Sequence, residues 1–202
     1  MSTVGQIERT TQKRVVALFR DLLGYAYIGN WIDREGNRNI EEAYLSQFLK
    51  ARGYDDALIA RALFEVQKVA TDQSRSLYDI NRSVYDLLRY GVKVKAEIGE
   101  NTQTVWLIDW ANPEANHFAV AEEVAIKPTN SDGAAKAYGK RPDIVLYVNG
   151  IALGVLELKR STISVSEGIR QNLDNQKKIF IQHFFTTMQL IMAGNDTEGL
   201  SP

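Results

Sequence analysis

The stretch from Arg141 to Arg160, RPDIVLYVNGIALGVLELKR, constrains this chain more than any other. Two apolar, β-branched runs flank Asn149-Gly150, and Asn-Gly between such runs is the strongest short-range signal for a β-hairpin. Nearly every position in both runs is apolar, so both faces of the hairpin are expected to be covered. Three charges break the pattern: Asp143 where the first arm begins, and Glu157 and Lys159 where the second ends. Glu157 and Lys159 are two apart and share one face of their strand. Charges at one end of a buried hairpin destabilise it unless they are paired or put to use. That end is the candidate site.

The chemistry suited to this trio is metal-assisted hydrolysis of a phosphodiester. Two carboxylates held close together repel, and a hard divalent cation relieves the repulsion. Mg²⁺ favours one or two carboxylates, several waters and substrate phosphate oxygens. A lysine alongside can orient or deprotonate the attacking water and offset charge in the transition state. Asp143 and Glu157 are therefore the candidate metal ligands and Lys159 the candidate catalytic lysine. The plainer alternative is an ordinary hairpin whose end charges are solvated or paired with each other.

Register decides whether the two carboxylates can share a metal. A regular two-residue turn at Asn149-Gly150 pairs Val148 with Ile151 and sets Asp143 opposite Leu156. Glu157 then points to the other side of the sheet. A shared site requires an irregularity between Asp143 and Glu157. It could be a three-residue loop, Val148-Asn149-Gly150, with a G1-type bulge, or a bulge elsewhere in one arm. Gly150 is expected at positive φ.

At 202 residues the chain suits one domain, or one with a helical extension. It has no cysteine, which excludes disulfides, thiol catalysis and cysteine-ligated zinc and fits a reducing cytoplasm. No stretch approaches the roughly 18 apolar residues of a membrane span, and the polar start, Met1 to Gln6, is no signal peptide. No membrane association is expected. The net charge of −1 is not that of a dedicated DNA-binding module, so tight DNA affinity is expected to come from elsewhere.

In chain order, amphipathic periodicity predicts helices over 6–23, 40–50, 55–69 and 77–90, with a Gly-punctuated loop over 29–39. Strands are expected over 92–98, 104–109 and 118–126. Residues 127–140 read as a loop delivering Lys136, Lys140 and Arg141 to where a DNA backbone could pass. After the hairpin, Ser164 to Glu167 has capping-box spacing and opens a helix to about Lys178. That helix carries Gln171 and Asn175 on one face, with Gln171 aimed at the carboxylates. A strand over 188–193 and a polar, irregular tail follow. Glu8 could reach the site, although a solvated first-turn glutamate is the plainer reading. His117 and His183 read as structural, and Ser161, Ser164 and Ser166 as helix-start residues.

The Asp143…Glu157-x-Lys159 pattern resembles the PD-(D/E)xK nuclease superfamily. The sequence also resembles, more closely, the N-terminal nuclease domain of the restriction (R) subunit of type I restriction-modification enzymes. The supporting stretches are Asn81-Arg82 to Gly91-Val92, Leu107-Ile108-Asp109 with Asn112-Pro113 and Phe118, the hairpin, the Gln171 helix, and Gln189-Leu190 to Gly194-Asn195. The resemblance implies an α/β fold: a restriction-endonuclease-like core with a mixed β-sheet flanked by helices, plus an N-terminal helical region. It divides a single nuclease domain, 1–202, into a mainly helical part (1–91) and an α/β catalytic core (92–199). The implied activity is Mg²⁺-dependent cleavage of double-stranded DNA, with Mn²⁺ able to substitute, after ATP-driven translocation.

Gln171 matches the glutamine of the family's Gln-x-x-x-Tyr motif, whose tyrosine position is Asn175 here. ATP would bind only in the motor domains of the full-length subunit, because no G-x-x-x-x-G-K-[ST] phosphate loop occurs in this chain. The chain is thus expected to be a fragment of a larger motor-containing subunit or a short relative. Expected partners are double-stranded DNA, the chain's own motor domains, and the methyltransferase and specificity subunits, in the cytoplasm. Two other readings remain open: a non-catalytic docking module of the same complex, and a stand-alone antiphage or repair nuclease.

Overall fold

A computed structural model describes residues 4–97, 99–129 and 138–202, with side chains from Glu8 onward. Lys136 lies outside the described residues.

The first helix, α1 (Val4–Ala17), passes into a π-helical turn, Leu18–Leu22. Three further helices follow the periodicity closely: α2 (Glu42–Ala51), α3 (Asp56–Ala70) and α4 (Leu77–Tyr90). Two of their starts are capped as their sequences dictate. Asp55 accepts from the Leu58 N–H, and Ser76 accepts from the Asp79 N–H. The apolar stripes of the three helices meet in a core that includes Leu45, Leu49, Ala62, Val66 and Val84.

Six strands build a mixed sheet in the order β1-β4-β5-β6-β7-β8. Its strands are β1 (Ala26–Asn30), β4 (Phe118–Glu122), β5 (Ile144–Val148), β6 (Ile151–Leu158), β7 (Leu190–Asn195) and β8 (Gly199–Ser201). β1 runs parallel to β4, and β6 parallel to β7; the other neighbours are antiparallel. The hairpin β5–β6 is central, which explains why both arms are apolar throughout. On one face Val16 of α1 packs over Ile144, Leu146, Leu156 and Met192. On the other, Val145, Tyr147 and Val155 meet Trp31 and a 3-10 segment, Gln182–Thr187, through Phe184 and Phe185. This α/β arrangement agrees with a restriction-endonuclease-like core.

The structure corrects several element boundaries. β1 falls in a stretch given no element that runs into the expected loop, and β8 in the expected irregular tail. Both are edge strands of the sheet, each paired on one side only, so neither needs a long apolar run. The expected strands over 92–98 and 104–109 shrink to β2 (Val92–Val94) and β3 (Gln103–Val105). These form a separate two-stranded sheet packed on α3, not part of the main one. The helix after the hairpin, α5, spans Val165–Asn175. Its start is not a capping box, because Glu167 turns to Arg170 while Glu198, from the β7–β8 turn, accepts from the Val165 N–H. Among the described residues no helix is long and apolar enough to cross a membrane.

Candidate active site

The site begins at the opposite end of the hairpin, in its turn. Asn149 and Gly150 both have positive φ, +52° and +84°, as a two-residue type I′ turn requires. Asn149 is fully buried and does more than turn the chain. Its side chain accepts from the His117 N–H at 2.7 Å and donates to Leu107 O at 2.9 Å.

From this anchored end the register is regular for two pairs, Val148 opposite Ile151 and Tyr147 opposite Ala152. It then skips Leu153: Leu146 faces Gly154, Val145 faces Val155 and Ile144 faces Leu156. The extra residue is a β-bulge in β6. Continuing that register by one residue sets Asp143 opposite Glu157, on a common face of the sheet. Of the two irregularities that a shared site allows, the chain uses the bulge in one arm, not the three-residue loop.

At the open end, Asp143 Oδ2 accepts from the Leu158 N–H at 2.7 Å. Lys159 Nζ donates to Glu157 Oε1 at 2.8 Å and to Gln171 Oε1 at 2.7 Å. The lysine therefore bridges β6 and α5, and Gln171 does point at the carboxylates. Gly168 makes this possible: a Cβ there would lie 2.9 Å from Ala193 Cβ and 3.4 Å from Lys159 Cγ. Gly168→Ala gains up to about 1 kcal/mol of helix propensity, yet overpacking of this kind costs roughly 1–3 kcal/mol. We expect a melting temperature at or below that of the wild type, and a looser Lys159–Gln171 contact; a clearly raised melting temperature would show that α5 is not seated by this glycine.

Both carboxyls have raised pKa values. Burial, then the neighbouring Glu157 charge, pushes Asp143 up to about 8. Burial also raises Glu157, while Lys159 opposes the rise. Glu157 is 2 % exposed, and its Oε2 is buried without a hydrogen-bond partner. An orphaned, buried carboxylate oxygen facing a second carboxylate suits a hard divalent cation. Among the described residues no group of three or more His, Cys, Asp or Glu side chains is suited to hold a metal. Two protein carboxylates with the remaining positions left to water and phosphate is the Mg²⁺ pattern.

A cleft of about 550 Å³ opens over these groups, lined by Asp143, Glu157, Lys159, Gln171, Lys140 and Arg141, and also by Glu8. Glu8 is therefore not a freely solvated first-turn residue. It is half-buried, pairs with Arg160 at 3.3 Å, and its charge adds to the rise at Glu157. No local pattern separates this glutamate from other surface glutamates, because its place depends on how α1 docks. Lys140 Nζ lies 4.0 Å from the centre of the Phe180 ring, and Arg141 pairs with Glu123 at 2.7 Å.

Asn175 does not join the site. It is 1 % exposed, and its Oδ1 has no partner. Position 175 thus offers no exposed ring or amide to a substrate, and a tyrosine there would have to displace core atoms. His117 stacks on Tyr44, and His183 is largely buried, with its pKa lowered by that burial. Ser164 caps α5.

The fold and this end of the hairpin define a restriction-endonuclease-like α/β protein with a paired-carboxylate cleft. The family model for the type I restriction enzyme R protein N terminus matches residues 5–201, and the chain belongs to that family. A relative from Methanocaldococcus jannaschii, named as the type I restriction enzyme MjaIXP endonuclease subunit, is 27% identical over 190 residues. The match covers 89% of this chain but only 18% of the relative. The chain thus corresponds to a small part of that protein.

Proposed function

We propose that this chain is the metal-dependent DNA endonuclease part of a type I restriction enzyme R subunit, with a PD-(D/E)xK site. Translocation and ATP hydrolysis would belong to other parts of the full-length subunit. DNA recognition and modification would belong to specificity and methyltransferase subunits, in the cytoplasm. The observation that carries the reading is the bulge at Leu153, which sets Asp143 and Glu157 face to face beside the Lys159–Gln171 bridge. A hairpin serving only the fold has no need to place two carboxylates on one buried face.

Asp143 and Glu157 would hold Mg²⁺, or Mn²⁺ in its place. The cation would supply charge neutralisation at the scissile phosphate and a lowered pKa for a bound water. Lys159, held between Glu157 and Gln171, points an ammonium into the cleft. There it can orient the attacking water and stabilise charge developing on the phosphate. Gln171 keeps the lysine in place and out of bulk solvent. Lys140 and Arg141 at the rim suit contacts to the phosphate backbone.

The raised carboxyl pKa values supply a test by pH. A carboxyl whose folded pKa lies above its unfolded one binds more protons when folded, so stability falls as pH rises. Without metal the fall runs from the ordinary carboxylate range up to about 8 for Asp143. Each pKa unit is worth about 1.4 kcal/mol, and a drop of several degrees between pH 5 and pH 8 is expected in the presence of a chelator. Mg²⁺ or Mn²⁺ in the millimolar range should recover part of it, since a ligand at ten times its dissociation constant contributes roughly 1.4 kcal/mol. Asp143→Asn should flatten the pH dependence and reduce the response to metal. Melting curves indifferent to pH and to both metals would count for the non-catalytic docking module instead.

A further inference from the structure

The strand that leads into the cleft carries a second irregularity. β4 ends at Glu122, and Glu123 adopts φ +52°, left-handed backbone that a side chain with a Cβ rarely takes. The other non-glycine residue with positive φ among the described residues, Asn149, sits in the hairpin turn, where such a value is needed. At Glu123 no turn requires it. The kink instead lets consecutive N–H groups reach consecutive carbonyls: Glu123 donates to Asp143 O at 2.9 Å, and Val124 to Pro142 O at 3.0 Å. Beyond it, Ile126 and Lys140 bond each other in both directions, at 2.8 and 3.1 Å. The same kink brings the Glu123 carboxylate, 19 % exposed, to within 2.7 Å of Arg141 Nε, two residues before Asp143.

We infer that Glu123 is a positioning residue for Asp143, gripping it through the main chain and through Arg141. The inference rests on the reading of Asp143 as a metal ligand. Glu123 does not line the cleft; its Oε2 is buried, makes no hydrogen bond and is held by the ion pair to Arg141, which distinguishes it from the Glu157 carboxylate in the cleft wall. A left-handed glutamate, where glycine is the easier choice, gives this position a carboxylate that pairs with Arg141 in the segment leading to Asp143.

The test uses the 202-residue chain and Mn²⁺ alone, titrated calorimetrically, together with amide exchange of Leu158, whose N–H donates to Asp143 Oδ2. Glu123→Gly keeps the kink free of strain and removes the carboxylate. It should weaken Mn²⁺ binding about tenfold, the scale on which groups that support a metal ligand act, and should speed Leu158 exchange. Arg141→Ala should reproduce both effects, and Arg141→Lys, which keeps a positive charge beside the Glu123 carboxylate, should restore most of the affinity. Asp143→Ala should abolish binding. Affinity within twofold of wild type in Glu123→Gly overturns the inference. So does a loss as complete as that of Asp143→Ala, which would make Glu123 a ligand. If the wild-type chain fails to bind Mn²⁺ at all, the metal reading falls, and Leu158 exchange still decides the positioning role: unchanged protection in Glu123→Gly overturns it.

Discussion

On the proposed function, alanine at Asp143, Glu157 or Lys159 is expected to abolish DNA cleavage by the full-length enzyme while leaving the ATPase and translocation proposed for its other parts intact. The three side chains share one end of the hairpin, and each has a separate duty in the proposed reaction. Loss of a single preorganised electrostatic group costs about 100-fold or more in rate. Stability should move the other way for the carboxylates. Both are buried and have raised pKa values, so without metal at neutral pH each costs the folded state stability, through a buried charge or through the proton that folding makes it take up. Asp143→Asn and Glu157→Gln should therefore melt at or above the wild-type temperature in the presence of a chelator, while failing to cleave. Lys159→Ala should melt lower, because it strips Glu157 of its ion-pair partner. A nick-and-linearisation assay on plasmid DNA, run beside an ATPase assay, checks the first part. Cleavage near the wild-type rate by any of the three alanine variants would sink the site assignment.

Gly150→Ala is expected to be the most damaging single methyl that can be added to the hairpin. Its φ of +84° is disfavoured for alanine, and an added Cβ would sit 2.7 Å from Glu41 O, 2.7 Å from Tyr44 Cβ and 2.8 Å from Leu45 N. Two of these are backbone atoms at the start of α2, so relief requires the helix to move. Strain at such a φ costs about 1 kcal/mol or more, and overpacking about 1–3 kcal/mol. A melting temperature lower by on the order of 10 °C follows for a chain of this size. The variant should still bind Mn²⁺ in its folded fraction, because the turn and the carboxylates occupy opposite ends of β5 and β6. A shift under about 2 °C would show that α2 does not press on the turn.

The hairpin, its two-residue turn and the charges at its open end were all legible in the chain itself. Alternation and apolar runs report burial, and Asn-Gly reports a left-handed turn, because these are local consequences of side-chain chemistry. The four amphipathic helices were legible for the same reason, and so was the placement of Gln171 on the helix that follows the hairpin. The need for an irregularity between Asp143 and Glu157 also followed from strand geometry alone.

What the chain could not announce is where tertiary contacts choose among locally equivalent options. Leu153 is one more apolar residue in an apolar run, and only packing on both faces of β6 selects it as the bulge. β1 and β8 carry no strand pattern of their own because a partner strand supplies their order. Glu8 and Glu123 look like ordinary surface glutamates until α1 docks beside β6 and β4 kinks against β5. Asn175, four residues from Gln171, is drawn into the core and not into the cleft, since a helix face is defined only once something packs against it. Sequence determined which groups this protein can bring to a reaction, because side-chain chemistry is local. Register and docking decided which of them meet, because those are set by contacts between distant parts of the chain.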